Sequence, residues 1–140
     1  AVTYGYLSRN IQPTALSPAT LALIPTSSNQ ASLLIQKQGS GIKLLSFGYA
    51  LGFPDGPTLI SYISSSNPIL QVAPSIFDSF SLHGSTSRLI RDDQGNLFWM
   101  DSGTKHYILN GTILSHYPPT PQTYLEGTTQ YLLPSGAAAQ

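Results

Sequence analysis

Three histidines (His83, His106 and His116), six carboxylates (Asp55, Asp78, Asp92, Asp93, Asp101 and Glu126) and many serines are the groups here that move protons or attack carbonyls in other proteins. A Ser, His and Asp set can be assembled from them, but no Gly-x-Ser-x-Gly elbow marks a nucleophile. Glycoside hydrolysis needs two carboxylates held across a sugar ring, and the acids of this chain stand mostly at turns. Asp92 and Asp93 precede Gly95-Asn96 without further acids at alternating positions, which argues against an EF-hand loop and makes them turn formers. With no cysteine, thiolate zinc and thiol nucleophiles are excluded. The expectation is a protein that is not an enzyme and has neither cofactor nor metal.

A different chemistry gathers in "SRLIRDDQGNLFWMDSGTKHYIL", residues 87 to 109, which carries half of the chain's charges with its only Trp and only Met. "RLIR", "NLFWMD" and "KHYIL" are short runs rich in β-branched and aromatic residues, and "DDQG" and "SGT" between them are turn chemistries. They predict a three-stranded meander. Side chains alternate across a strand, so Phe98, Met100, Lys105 and Tyr107 share one face and Leu97, Trp99, His106 and Ile108 the other. An aromatic and cationic face suits a sugar ring, which stacks its C–H side on an aromatic, or a protein partner that offers aromatic anchors. The sequence therefore nominates Phe98, Asp101, Lys105 and Tyr107 as ligand contacts.

An internal repeat indicates which face looks outward. "SLLIQKQGSGIKLLSFGYALGFPDGPTLISYI" from Ser32 aligns without a gap on "SRLIRDDQGNLFWMDSGTKHYILNGTILSHYP" from Ser87, an offset of 55. Leu34 matches Leu89, Ile35 matches Ile90, Gly48 matches Gly103 and Tyr62 matches Tyr117. Positions apolar in both copies belong to a core, so Trp99, opposite Leu44, is a packing residue. His106, opposite Leu51, is a hydrogen-bonded, partly buried histidine. Phe98, opposite Lys43, is expected to face solvent, and with it the whole patch.

A further piece occurs three times, as "TALSPATLALIPTS" from Thr14, "ILQVAPSIFDSFSL" from Ile69 and "TYLEGTTQYLLPSG" from Thr123. Ser17 before Pro18 reads as a helix N-cap, with Leu21 and Ile24 on one face. Prolines such as Pro118, Pro119 and Pro121 forbid long helices and central strands in these pieces. Asn110-Gly111-Thr112 spells a glycosylation acceptor, but Asp55-Gly56 at the matching place makes a turn the first explanation.

The fold class predicted is mostly β: two tandem β-meander repeats of about 55 residues with short helical connectors, packed as a sandwich or a propeller fragment. One domain spans 1–140, with connector 1–31, repeat one 32–53, connector 54–86, repeat two 87–108 and connector 109–140. Fixed-period units of this kind share a core and cap their ends.

"LIRDDQGNLFWMDSGTKHYIL" followed by "TYLEGTTQYLLPSG" resembles a repeat of secreted and cell-surface bacterial proteins, notably actinobacterial ones. The resemblance covers about residues 87 to 136 and, more weakly, 32 to 84. It implies an extracellular surface module and supplies no catalytic residues. The first copy departs from the form, with Tyr49-Ala50-Leu51 where the second has Thr104-Lys105-His106.

Only 9% of the 140 residues are charged, six of each sign, so clustered basic charge for nucleic acid or an anionic membrane is lacking. No run reaches the roughly 18 apolar residues of a membrane span, and no signal peptide stands at Ala1, as for a mature exported chain. Two functions are expected from different classes. One is an extracellular, non-catalytic binding module for a glycan or cell-wall polymer. The other is a structural subunit of a surface filament, pilus or virion, a homo-oligomer assembling on copies of itself through apolar strands.

Overall fold

A computed structural model of the chain describes residues 32–46, 48–126, 129 and 132–140. The expected Ser17-Pro18 cap and the Leu21 and Ile24 face lie outside the described residues. Within them the protein is mostly β, with two mixed sheets and a few short helices.

β1 (Leu34–Gln36), β2 (Ile42–Ser46) and β3 (Tyr49–Gly52) form the first antiparallel meander. Its turns are made by Gly39 and Gly48, whose φ values of 75° and 90° disfavour any residue with a Cβ. α1 (Gly56–Ile60), β4 (Ile69–Gln71), α2 (Pro74–Ser79) and β5 (Leu82–Ser85) follow. β4 runs parallel to β1 and β5 parallel to β3, giving the order β4-β1-β2-β3-β5. The segment 54–86 is thus more than a connector, because it supplies both edge strands of the sheet. Pro68 and Pro74 flank β4, as prolines at an edge can.

β6 (Leu89–Arg91), β7 (Leu97–Asp101) and β8 (Thr104–Ile108) form the second meander, followed by α3 (Gly111–Leu114) and β9 (Gln122–Tyr124). β9 lies parallel to β6, so the order is β8-β7-β6-β9. The C-terminal residues run along the free side of β8: Lys105 N–H donates to Pro134 O at 2.8 Å and Ala139 N–H to Tyr107 O at 2.9 Å. The registers of the two sheets coincide at the offset of the sequence repeat. Leu34 faces Leu44 and Leu44 faces Leu51 in the first; Leu89 faces Trp99 and Trp99 faces His106 in the second.

Both short helices after the meanders start on a side-chain cap. Asp55 accepts from Thr58 N–H at 2.7 Å, with Pro57 in the first turn, and Asn110 accepts from Ile113 N–H at 3.1 Å. Asp55-Gly56 and Asn110-Gly111 are therefore helix N-caps where the sequence suggested plain turns. The carboxylate or amide oxygen takes up a donor that the first helical turn leaves unpaired.

Apolar side chains collect in three clusters. The central one joins Leu33, Leu34, Leu44, Leu51 and Tyr62 of the first half to Ile90, Met100, Leu125 and Leu133 of the second. The other face of the first sheet, with Ile35, Leu45 and Ala50, packs on Phe77 of α2. The other face of the second sheet, with Leu89, Trp99 and Ile108, packs on Ala139, Ile113, Leu114 and Tyr117. Trp99 is 6% exposed and its ring lies 4.6 Å from that of Tyr117, which makes it the core residue the sequence indicated.

Tyr62 ties the halves together. It is fully buried, and its hydroxyl donates to Ser87 O at 2.6 Å and pairs with Thr86 Oγ1 at 3.0 Å. Burial drives its phenol pKa upward, so it remains a donor at any ordinary pH. A second tie is Gly103, whose N–H donates to Ser61 O at 2.8 Å.

Two substitutions test these ties. Tyr62→Phe leaves Ser87 O and Thr86 short of a partner and is expected to cost about 1–3 kcal/mol in a urea denaturation curve. Gly103 has φ +75°, and a Cβ there would sit 2.7 Å from Ser64 Oγ and 2.8 Å from Ile63 O; Gly95 has φ +85° with open space around it. Gly95→Ala is expected to cost about 1–2 kcal/mol from backbone strain, and Gly103→Ala clearly more than that. Equal losses would show that the halves do not meet closely at Gly103.

Candidate functional site

The four nominated contacts separate across the second sheet. Phe98, Lys105 and Tyr107 stand together: the rings of Phe98 and Tyr107 are 5.5 Å apart, and Lys105 Nζ lies 5.3 Å from the Phe98 ring centre. Asp101 is on the opposite face with Trp99, because it is an odd number of residues from Phe98 along β7. Its Oδ1 takes a 3.0 Å ion pair from Arg88, and the Arg88 guanidinium lies 4.8 Å from the Trp99 ring.

The outward face expected for Phe98, Met100, Lys105 and Tyr107 is not present. Met100 is fully buried and Lys105 is 6% exposed, while Phe98 packs half-buried against the central cluster. This side of the second sheet meets the first sheet, and Phe98 and Met100 serve the junction. Tyr107 alone of the four keeps substantial exposure on this face, at 38%. The lysine opposite Phe98 in the repeat is no more exposed. Lys43 is 9% exposed, donates to Phe77 O at 2.8 Å and Phe80 O at 2.7 Å, and lies 4.0 Å from the Phe77 ring. Carbonyls at the end of α2 and an aromatic face stand in for water around the ammonium.

Lys105 is buried near Asp92. Burial pulls the lysine pKa down from its ordinary value and the charge of Asp92 pushes partly back. Asp92 makes the turn the sequence assigned to it: it accepts from Gln94 N–H, Asn96 N–H and the Asn96 amide between 2.8 and 2.9 Å. Burial raises its pKa, but these hydrogen bonds outweigh burial and hold the carboxyl below its ordinary value of 3.8. His106 is hydrogen-bonded and half-buried as expected, with Nδ1 2.8 Å from Ala137 O and Nε2 3.0 Å from Thr104 Oγ1.

Among the described residues, two grooves stand out. One, of about 490 Å³, opens where the halves meet and is lined by Pro54, Asp55, Pro57 and Thr58 from the start of α1, residues 85–88 of the link, Trp99, and residues 118 and 120–123 before and into β9. Hydroxyl and amide side chains line it together with four prolines, and the Arg88 that pairs with Asp101 borders it. The other, of about 480 Å³, lies on the first half beside Lys43, Gly52, Phe53, Phe77 and Leu82. Arg88, Lys43 and Gly52 escaped the sequence reading. The signal for Arg88 was its place two residues before Ile90 at the start of the repeat; that for Gly52 was its place opposite Tyr107 at the offset of 55. Among the described residues no helix is long and apolar enough to cross a membrane.

Because the folded pKa of Asp92 is depressed, its stabilisation is whole above its ordinary value of 3.8 and is lost as pH falls through the lower folded value. Asp92→Asn is expected to cost about 1–2 kcal/mol near pH 7 by urea denaturation, and progressively less as pH falls below 3.8 and through the lower folded value. A difference independent of pH would contradict the hydrogen-bonded carboxylate. No family model, no curated protein and no solved structure matches the chain, so the role of these grooves rests on their own chemistry.

Proposed function

We propose that the chain is an extracellular, non-catalytic binding module built from a duplicated β unit, and that the groove where the two units meet takes a glycan or cell-wall polymer. The single observation that carries this reading is the lining of that groove: hydroxyl and amide groups of Thr58, Thr120, Gln122 and Thr123 set between the rings of Pro54, Pro57, Pro118 and Pro121. A sugar chain presents the same alternation of hydroxyls and C–H surface. The Arg88 and Asp101 pair supplies a charge-assisted donor and acceptor at the rim, and Arg88 keeps its place by stacking on Trp99.

The two units are stacked in this reading like layers of a sandwich facing the same way. Support comes from the equal registers 55 residues apart and from the central cluster, to which Leu44 contributes in the first sheet and Met100, not Trp99, in the second. Trp99 with Tyr117 then closes the far end, as end units of stacked repeats do. Low charge and a surface of Ser, Thr, Gln, Asn and Tyr fit a place outside the cell.

A second reading, a structural subunit assembling with its own copies, is favoured by β5, which is exposed along its whole length at the edge of the first sheet and carries Leu82 at 60% exposure. Sizing at rising concentration separates the two, since a binding module stays monomeric.

Titration of the chain with soluble cell-wall glycans, followed by calorimetry, tests the main reading. Arg88→Ala and Gln122→Ala are each expected to weaken binding by about tenfold or more. Full affinity in both variants, or no binding by the native chain, rejects the groove as a glycan site.

A further inference from the structure

The groove on the first half lies where the two sheets carry different side chains at matching registers. Continuing the pairing of Leu44 with Leu51, Lys43 and Gly52 fall where the second sheet has the pair Phe98 and Tyr107. In the second sheet those two rings, 5.5 Å apart, fill the position, with the Lys105 ammonium 5.3 Å from one of them. In the first sheet a glycine leaves the place of Tyr107 open, and a cavity of about 480 Å³ lies over it, walled by Phe53, Leu59, Phe77 and Leu82. The space is an aromatic site from which the aromatic has been removed.

Its charge is equally specific. Lys43 is nine-tenths buried in the wall, and its hydrogen bonds run to the carbonyl oxygens of Phe77 and Phe80. The neighbouring Lys37 is paired with Asp78 at 2.6 Å, whereas the partners of Lys43 are neutral carbonyls. An ammonium carries three N–H donors, and these two carbonyls take up two of them. Asp55 also borders the groove, but its carboxylate is committed to capping α1 through Thr58 N–H. It repels an anion placed beside it and so directs one toward Lys43.

We propose that this groove binds a small aromatic carboxylate, with the ring over Gly52 in the place that Tyr107 occupies in the second unit and the carboxylate on the Lys43 ammonium. This site is separate from the junction groove and does not depend on the glycan reading. It rests on the correspondence of the two registers and on the lysine.

The uniformly 15N-labelled chain titrated with 4-hydroxyphenylacetate tests it, with 4-methylphenol as the uncharged comparison. Saturable amide shifts are expected at Gly52, Phe53, Phe77 and Leu82, with 4-methylphenol weaker by about tenfold. Gly52→Tyr, which copies the second unit, is expected to abolish the shifts with the rest of the spectrum unchanged. In Gly52→Ala the new Cβ lies 3.8 Å or more from its neighbours, so that variant retains binding. Arg88→Ala leaves these shifts intact whatever it does to glycan affinity. Absence of saturable shifts in the native chain, undiminished binding in Gly52→Tyr, or equal affinity for the uncharged phenol overturns the proposal.

Discussion

A β-sheet of three- to five-residue strands has two apolar faces, and helices of four to six residues cover at most one of them. That constraint governs this molecule. The first sheet has α2 and Phe77 on one side, the second has α3, Tyr117 and the C-terminal residues on one side, and the faces left over close on each other. The cluster running from Leu34 and Leu44 to Ile90 and Met100 is the result, and every one of those four side chains is fully buried. At about 1.5–3 kcal/mol for each large apolar side chain taken out of water, this seam outweighs any single polar contact in the structure.

Polar groups buried in the seam and under α2 are there because they are satisfied. Tyr62 reaches Thr86 and Ser87, Asn67 accepts from Ser32 and Leu33 and donates to Tyr62 O, and Lys43 finds two carbonyls and a ring. Each converts a costly buried group into a constraint on which strand lies where. Neutral partners thus help a chain with few charges to specify one arrangement; the Lys37–Asp78 and Arg88–Asp101 pairs lie at the surface, where such pairs contribute little.

The meanders, their turns, the burial of Trp99, the hydrogen-bonded His106 and the turn at Asp92 were all legible from strand alternation and from comparing the two copies. What failed was the inference that a position occupied by lysine in one copy and phenylalanine in the other must face water. It assumes that matching positions have matching surroundings, and in these two sheets they do not. Lys43 lies under α2, while Phe98 lies near the seam. The edge strands β4 and β5 were hidden for a different reason. Three or four residues such as "ILQ" or "LHGS" carry too little alternation to be read, and their pairing is decided by β1 and β3 far away in sequence. Asp101, nominated together with Phe98, stands on the opposite side of β7, as strand alternation requires.

The passage from β5 to β6 is only residues 86–88. Thr86 and Ser87 are both buried and both engaged by the Tyr62 hydroxyl, while Gly103 grips Ser61 just beyond. A connector of that length, fastened at both flanks, removes the hinge that two-lobed proteins ordinarily close around what they hold. The walls of the cleft between the lobes are then set before anything arrives, and a guest would pay no ordering entropy on the protein's side and find no induced fit.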